Sequence, residues 1–296
     1  LPTRTNFRSV SKREVALFEG PNGWGEFSPF LEYDAEESSY WLAAGIEAAF
    51  GELPKIYREE IEINATLPAV DSNIDVEKIL SWYPGAKVVK IKVGSNLELD
   101  LKRIENSLKF NPDLKMRLDV NGGWSVQEAE TAVSQMIERF GIEKFEYIEQ
   151  PVATLEELRE LQLPIPVVGD EVIRKAKDPF ALDLNGAVDI LMLKVSPLGG
   201  IKRAMEIANF HELPVVVSSA LESAVGISHG IRLAASLPQL DYACGLGTGK
   251  LLTHDVADLP VEQGRMKLTK VKPSGLINLQ SAPERIKWWE KRIRDS

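Results

Sequence analysis

Cysteine, histidine and long apolar runs are all scarce in this sequence of 296 residues. Its single cysteine, Cys244, excludes an intrachain disulfide and favours a reducing compartment. The three histidines and this one cysteine do not form the clusters that bind zinc. No segment is apolar for long enough to span a bilayer, and no signal-peptide pattern is found. We therefore expect a cytoplasmic protein with no membrane partner.

Positive charge is also in short supply. The chain has 44 acidic and 35 basic residues, which gives a net charge of −9. A nucleic-acid partner would need a basic face, so the composition argues against one. The hydrophobic fraction of 44% is enough for one large domain or two unequal ones. The sequence begins with Leu1 rather than methionine, so we expect a short N-terminal segment to be missing; the composition gives no indication of the oligomeric state.

Short β-branched runs alternate with amphipathic segments from about residue 62 onward. Eight such runs occur, at 62–66, 86–93, 115–120, 145–150, 165–170, 188–195, 213–219 and 241–247. Helix-like segments lie between them, for example at 126–140, 154–162 and 199–212. This alternation is typical of a parallel sheet, and eight strands can close a (β/α)8 barrel. An open doubly wound sheet is the alternative, but no GxGxxG pattern follows the first strand.

Both ends of the chain fall outside this rhythm. The first 60 residues read as a few strands, a tight turn at 21–23 and a helix over 38–51. The last 46 residues are irregular and end in a charged tail. We therefore predict an α+β capping domain built from 1–61 plus 251–296, placed on a barrel formed by 62–250.

Charged residues recur where the predicted strands end. In chain order they are Lys90, Lys92, Asp119, Glu149, Asp170 and Lys194. The C-terminal ends of barrel strands meet at one mouth, where catalytic groups lie. Three carboxylates there would repel one another unless a cation lay among them, and hard oxygen ligands suit Mg²⁺. We therefore predict Asp119, Glu149 and Asp170 as ligands of Mg²⁺, for which Mn²⁺ can substitute.

Lys90 and Lys92 share one face of their strand. Two ammonium groups about 6.5 Å apart, at an effective dielectric near 20, repel by roughly 2.5 kcal/mol, which lowers one lysine's pKa by about 2 units. Desolvation lowers it further. We predict Lys92, nearer the mouth, as a general base and Lys90 as its electrostatic tuner. Alternatively, both lysines pair with the carboxylates for structural reasons, and strand-end acids often serve as helix N-caps.

Six motifs resemble those of the enolase superfamily. They are KIK at 90–92, DVNGGW at 119–124, EQP at 149–151, GDE at 169–171, LKVSPLGG at 193–200 and SSALES at 218–223. They are most similar to the muconate-lactonizing subgroup, which has a KxK motif and a partner lysine on strand 6. Within that subgroup RLDVNGGW, GWGEFSPFLEYD and CGLGT most resemble the o-succinylbenzoate synthases of menaquinone biosynthesis. The resemblance covers nearly the whole chain and implies a modified (β/α)8 barrel, of (β/α)7β form, with a small α+β cap.

The resemblance also implies a reaction and a set of roles. The expected enzyme is a carbon–oxygen lyase that dehydrates 2-succinyl-6-hydroxy-2,4-cyclohexadiene-1-carboxylate, a small carboxylate, through an enediolate. Lys92 would remove the proton α to the carboxylate and later protonate the departing hydroxyl, while Lys194 would stabilise the enediolate. The substrate-binding residues implied are Arg117, Asn121, Ser218, Ser219, Gly245 and Gly247. Cap loops near 3–9 and 25–29 would close over the substrate.

Other functions share part of this set. The mandelate-racemase branch needs a histidine base near strand 7, where His211, His229 and His254 are not placed. Dipeptide epimerases carry an acidic DxD at the last strand, where this chain reads GLGTG. N-acylamino acid racemase and muconate cycloisomerase share the same catalytic residues and remain open. A barrel kept only as a binding module would show no metal-dependent turnover.

Overall fold

The structure, a computed structural model, describes residues 1–7, 10–70, 72–94 and 96–296. Its strands are β1 (Pro2–Phe7), β2 (Val10–Lys12), β3 (Ala16–Gly20), β4 (Gly23–Phe27), β5 (Glu60–Glu62), β6 (Ala65–Leu67), β7 (Val88–Lys92), β8 (Lys115–Asp119), β9 (Phe145–Glu149), β10 (Val167–Gly169), β11 (Ile190–Leu193), β12 (Val215–Val217) and β13 (Arg265–Lys267). Its α-helices are α1 (Ala35–Phe50), α2 (Asn73–Leu80), α3 (Leu97–Phe110), α4 (Val126–Phe140), α5 (Leu155–Glu160), α6 (Glu171–Arg174), α7 (Val195–Leu198), α8 (Ile201–His211), α9 (Ala224–Ser236), α10 (Leu276–Leu279) and α11 (Pro283–Asp295).

Seven parallel strands, β6 to β12, form the central sheet and lie side by side in chain order. Two isolated parallel bridges, Ile63 with Cys244 and Ser218 with Gly245, join its two edges. The backbone nitrogen of Cys244 donates to Glu62 O at 2.7 Å, and that of Gly245 donates to Val217 O at 2.8 Å. The sheet therefore closes into a ring, which confirms the predicted barrel over the open sheet.

Two of the predicted strands differ in detail from the structure. The run at 62–66 is divided, because β5 pairs antiparallel with β13 and the barrel strand β6 begins only at Ala65. The run at 241–247 forms no regular strand and contributes only the two bridges, because the backbone turns into a 3-10 helix at Gly247–Leu251. These two bridges nevertheless fill the gap between β12 and the start of β6.

Alternate residues of the barrel strands face two different cores. One set faces outward and packs in the large core with the helices; it includes Val89, Ile91, Met116, Leu118, Ile148, Leu191, Leu193 and Val217. The other set fills the interior of the barrel and comprises Tyr147, Val168, Ile190, Met192 and Val216. Because the side-chain period in a strand is two, residues two positions beyond this inner set also point inward. Glu149, Asp170 and Lys194 occupy such positions, at the C-terminal ends of their strands.

The barrel helices begin at side-chain caps that the sequence carries. Ser125 and Glu128 form a capping box at α4, and Thr154 and Glu157 form another at α5. Helix α4 ends at Gly141, whose φ of 87° favours glycine, so it matches the predicted 126–140. Helices α5 and α8 are shorter than predicted by a few residues at their ends. Among the described residues, no helix is both long enough and apolar enough to cross a membrane.

The two ends of the chain pack together. Strands β3 and β4 form a hairpin around Pro21 and Asn22, and α1 packs on β4. Helix α1 begins earlier than predicted because the Asp34 side chain accepts a 2.9 Å bond from Glu37 N. Phe27 and Trp289 of α11 meet edge to face at 5.7 Å. This joint packing is what the predicted cap requires; its boundaries at 61 and 251 stay a prediction.

Candidate active site

Charged side chains line the C-terminal ends of five neighbouring strands, β7 to β11. The sheet register sets Lys92 beside Asp119 and Asp119 beside Glu149. Asp170 directly follows β10, and Lys194 directly follows β11. The three carboxylates therefore occupy consecutive strand ends, with a lysine at each side of the row.

Ion pairs join these residues into one network. Lys90 Nζ lies 2.9 Å from Glu149 Oε2 and 3.5 Å from Asp119 Oδ2. Lys92 Nζ lies 3.7 Å from Asp119 Oδ1. Lys194 Nζ lies 2.6 Å from Asp170 Oδ2 and 4.0 Å from Glu149 Oε1. Because buried charges are costly without partners, each lysine is stabilised here by at least one carboxylate.

The three lysines differ in how far they open to solvent. The Lys92 side chain is 28% exposed, whereas those of Lys90 and Lys194 are 9% and 6% exposed. Lys92 Nζ also donates a hydrogen bond to Asn121 Oδ1. Asn121 has a φ of 53°, a left-handed conformation that asparagine tolerates better than most residues. Lys92 is therefore the lysine best placed to meet a molecule entering the mouth.

The electrostatics of the row follow from burial and pairing. Burial alone would lower the pKa of Lys90, but Glu149 and Asp119 outweigh burial and raise that pKa above its ordinary value. Burial alone would raise the pKa of Asp170, but Lys194 and Arg174 hold it well below its usual range. Lys90 therefore keeps its charge, which Glu149 largely compensates. The repulsion that Lys90 exerts on Lys92 is therefore weaker than the repulsion between two unpaired ammonium groups. The role of Lys90 as an electrostatic tuner stays a prediction.

The chemistry of the donors at the row fits a hard divalent cation. Asp119 Oδ1 and Asp170 Oδ1 are buried and accept no hydrogen bond from the described residues. Such oxygens are suited to a cation that prefers oxygen ligands. In the structure the carboxylates point toward the lysines, and within the described chain no three acidic, histidine or cysteine side chains converge as a ready metal site. Metal binding would therefore require these carboxylates to turn from the lysines.

The predicted substrate-binding residues Ser218, Ser219 and Gly245 come together where the barrel closes. Ser219 Oγ donates to Gly245 O at 2.7 Å, and Ser218 Oγ donates to the same oxygen at 3.4 Å. A Cβ on Gly245 would lie 2.4 Å from Ser218 Oγ, so a side chain there would displace the Ser218 hydroxyl. Gly247 begins the next turn and packs against Tyr83. The structure thus groups these residues next to the strand end that bears Lys194.

Arg117 lies below the mouth. It pairs in register with Lys90 and is two residues before Asp119 on β8, so it points inward one layer deeper. Its guanidinium is fully buried, 2.5 Å from Glu146 Oε2, and donates to Asn64 Oδ1 at 2.9 Å. This arrangement makes Arg117 part of the barrel floor; its contact with substrate stays a prediction without support from this geometry.

Several residues of the site were not predicted from the sequence. Gln150 Oε1 accepts bonds from the backbone nitrogens of Asp170 and Val172, and so fixes the turn that carries the third carboxylate. Arg174 Nε lies 3.3 Å from Asp170 Oδ1. Gln150 stands inside the EQP motif, and Arg174 follows Asp170 by one helical turn, so spacing could have indicated both.

The structure describes only one of the two predicted cap loops completely. The first, 3–9, lies partly outside the described residues, at Arg8 and Ser9. The second, 25–29, is bound to the barrel, because Glu26 accepts bonds from Ser223 N at 3.2 Å and Gly226 N at 2.9 Å. These donors lie at the N-cap and in the first turn of α9, and the orphan N–H groups at a helix N-terminus favour a carboxylate. This part of the cap is thus anchored to the helix that follows Ser218 and Ser219.

Comparison with known proteins shows which family the chain resembles. A family model described as "Enolase C-terminal domain-like" matches residues 76–276, and one described as "Enolase N-terminal domain-like" matches residues 1–49. The o-succinylbenzoate synthase of Mycobacterium ulcerans (strain Agy99) is 47% identical over 99% of this chain and 90% of the relative. That of Mycobacterium leprae (strain TN) is also 47% identical, over 99% of this chain and 89% of the relative.

Solved structures share the fold at lower identity. The muconate lactonizing enzyme from Pseudomonas putida superposes with a TM-score of 0.72 at 21% identity, covering 90% of this chain and 91% of that one. A dipeptide epimerase from Enterococcus faecalis V583 gives a TM-score of 0.69 at 21% identity, covering 86% and 91%. These two similarities support the fold alone. Taken with the relatives that match along nearly its whole length, they show that the chain belongs to the o-succinylbenzoate synthase family of enolase-like proteins.

Proposed function

We propose that this protein is a Mg²⁺-dependent carbon–oxygen lyase that removes water from 2-succinyl-6-hydroxy-2,4-cyclohexadiene-1-carboxylate and gives o-succinylbenzoate, a step of menaquinone biosynthesis. Two observations together support the proposal. The chain is 47% identical to o-succinylbenzoate synthases over 99% of its length. Its barrel mouth also holds a complete row of three carboxylates between Lys92 and Lys194.

Asp119, Glu149 and Asp170 are the residues that would hold the metal. Enzymes of the enolase superfamily generally use a divalent metal ion. The oxygen donors of this row suit Mg²⁺ or Mn²⁺ better than zinc, for which nitrogen and sulfur ligands are more usual. When bound, the ion supplies positive charge at the substrate carboxylate, which makes the α-proton more acidic.

Lys92 is the proposed base, and afterwards the proposed acid. It has the largest exposed fraction of the three lysines, and Asn121 Oδ1 fixes its amine. A neutral amine there can take the α-proton, and the resulting ammonium can return a proton to the departing hydroxyl on the same face. Loss of water then leaves an aromatic ring, so the second step is downhill.

Lys194 is proposed to stabilise the negative charge that develops on the substrate. Three strands lie between its strand and that of Lys92, and the ring of strands sets the two at opposite sides of the carboxylate row. Its side chain is only 6% exposed, so its charge acts where water screens it little. A cation held in that position stabilises the doubly charged enediolate more than it stabilises the singly charged substrate carboxylate, which is how it would accelerate the reaction.

Ser218, Ser219, Gly245 and Gly247 are proposed to hold the succinyl tail through hydroxyl and backbone donors. The hydroxyls now bond to Gly245 O and, for Ser219, to Thr248 Oγ1 at 2.7 Å. These bonds could be exchanged for bonds to a carboxylate. We also propose a cytoplasmic location and a small-molecule carboxylate as the partner, with no nucleic acid.

The proposed reaction is tested by product formation. Purified protein with Mg²⁺ is given the cyclohexadiene carboxylate and, in parallel in D₂O, an N-acylamino acid; a third sample receives muconate. We expect rapid growth of the aromatic absorbance in the first sample, which the Lys92→Ala variant should not show. Efficient exchange of the α-hydrogen of the N-acylamino acid, or turnover of muconate, without any aromatic product would leave only the family assignment intact.

A further inference from the structure

One guanidinium joins the metal-binding row to the cap. Arg174 ends the short helix α6, and its side chain is only 4% exposed. Its Nε lies 3.3 Å from Asp170 Oδ1, its Nη2 lies 2.9 Å from Glu171 Oε1, and its Nη1 donates to the Tyr33 hydroxyl at 3.1 Å. The three nitrogen atoms of one guanidinium thus contact three different residues, and one of these, Tyr33, lies 141 residues away in the chain.

The contacts continue from Arg174 to the proposed base. Glu171 Oε1 also accepts a bond of 3.3 Å from Asn121 Nδ2. Asn121 Oδ1 in turn accepts the hydrogen bond from Lys92 Nζ. An unbroken series of polar contacts therefore runs from Tyr33 through Arg174 and Glu171 to the amine of Lys92.

The cap end of this series is held firmly. Arg292 of α11 donates to Phe30 O at 2.8 Å and to Tyr33 O at 2.7 Å. The Tyr33 ring packs edge to face against Phe30 at 5.5 Å and against Trp41 at 6.3 Å. Because the backbone and the ring of Tyr33 are both held by these contacts, the position of the hydroxyl that contacts Arg174 is also fixed.

We propose that Arg174 is a positioning residue through which the cap segment bearing Tyr33 fixes the carboxylate of Asp170 and, by way of Glu171 and Asn121, the amine of Lys92. The inference rests on the proposed function for the roles of Asp170 and Lys92. Arginine suits the task because its rigid fork of five donors can meet several partners at once, whereas lysine offers a single point charge. Groups that orient a metal ligand from behind typically change metal affinity or activity by about 10–100-fold when removed.

Arg174→Lys is the central test, with Arg203→Lys as the matched control. Arg203 stacks over the Tyr40 ring at 4.7 Å and takes no part in the series. We expect Arg174→Lys to bind Mn²⁺ about tenfold more weakly by calorimetry without substrate, and to lower kcat about tenfold or more while KM changes less than about twofold. The control should match the wild type. Wild-type values of both metal affinity and kcat in Arg174→Lys would overturn the proposal.

Tyr33→Phe tests the link to the cap, with Tyr40→Phe as its control. The change removes one hydroxyl and keeps the ring packing, so it remains informative even if Arg174→Lys fails to fold. We expect kcat to fall about threefold or more in Tyr33→Phe alone, and the double variant with Arg174→Lys to be no worse than Arg174→Lys, because coupled residues are non-additive. Full kcat in Tyr33→Phe, or additive losses in the double variant, would contradict the link.

The proposed reaction and the positioning role of Arg174 can be disproved separately. If the wild type forms no aromatic product, the proposed reaction is wrong, yet the calorimetric comparison of Arg174→Lys with Arg203→Lys still decides whether Arg174 positions a metal ligand. If the wild type forms the product but the variants bind Mn²⁺ and turn over like the wild type, the reaction is right and the positioning role is wrong.

Discussion

Glu47 Oε1, on α1, accepts a hydrogen bond of 3.0 Å from the backbone nitrogen of Lys202 in the first turn of α8. Its Oε2 accepts a second bond from Ile201 N. Helix α8 has no side-chain cap of its own, since Gly200 precedes it. A residue from the N-terminal part of the chain therefore caps a barrel helix, and this helix follows the segment that begins at Lys194.

Gly200→Ala should destabilise the protein more than Gly186→Ala. Both glycines have positive φ. The φ of Gly186, 67°, is in the left-handed range, where alanine costs about 1–2 kcal/mol, whereas Gly200, at φ 130° and ψ 171°, lies in a region nearly restricted to glycine, where alanine costs about 1–3 kcal/mol. At Gly200 a Cβ would also lie 2.4 Å from Glu47 Oε2, whereas at Gly186 it would meet nothing within 4 Å. We expect a further loss of about 1–3 kcal/mol at Gly200, measured by urea unfolding. Equal losses would show that the approach of Glu47 does not require glycine.

Asp255 should make stability fall as pH rises through the weakly acidic range. Burial raises its pKa from 3.8 to about 6, although Ala224 N and Val256 N donate to it. A carboxyl with a raised pKa binds its proton more tightly in the folded state, so its contribution is fully present below about pH 4 and is lost by about pH 6. Asp255→Asn should remove this dependence and gain up to about 3 kcal/mol relative to the wild type between pH 4 and pH 7. If the free energy of unfolding of the two proteins changed with pH in the same way, Asp255 would not be the source of the pH dependence.

Chelation should remove activity without unfolding the protein. If Asp119, Glu149 and Asp170 hold the metal, EDTA should abolish turnover, and Mg²⁺ or Mn²⁺ should restore it while the far-UV circular dichroism is unchanged. Asp170→Asn should lower metal affinity and turnover together. Undiminished turnover in excess chelator would exclude the metal-dependent mechanism.

Lys90 and Lys92 should respond differently to substitution. Lys92→Ala should leave no measurable turnover but a nearly unchanged free energy of unfolding, because its side chain is partly exposed. Lys90→Met leaves buried Glu149 without its 2.9 Å partner and should cost about 3–5 kcal/mol of stability. Loss of its positive charge should also raise the apparent pKa of the rising limb of the pH–rate profile.

The pH–rate profile decides whether Lys90 tunes Lys92. A limb that does not move in Lys90→Met, in protein shown to be folded, would mean that Lys90 serves only as the partner of Glu149 and Asp119. If Lys90→Met lowers the stability but does not shift the rising limb of the pH–rate profile, Lys90 has a structural role as an ion-pair partner and does not tune Lys92. The Lys92→Ala protein provides the baseline rate for both measurements.

The sequence by itself determined the strand alternation and the direction of the charged side chains. Lys90 and Lys92 could be placed on one face because side chains alternate along a strand whatever the partners are, and Asp119 and Glu149 could be placed at the C-terminal ends of their strands. The count of βα units indicated the barrel, and the caps of α4 and α5 are local patterns that need no tertiary information. These features depend on residues close in the chain. The strand alternation and the barrel were predicted, whereas the two capping boxes were found only in the structure.

Only the tertiary structure decided which charges meet. Lys90 and Glu149 are 59 residues apart, and their ion pair exists because strands β7 to β9 are neighbours in a fixed register. The place of Arg117 in the floor depends likewise on Glu146 from the adjacent strand β9 and on Asn64 just before β6, and the contact of Arg174 with Tyr33 depends on how the cap packs on the barrel. A sequence pattern fixes where a side chain points, but the energy of a buried charge is set by whichever groups the fold brings within a few ångströms of it.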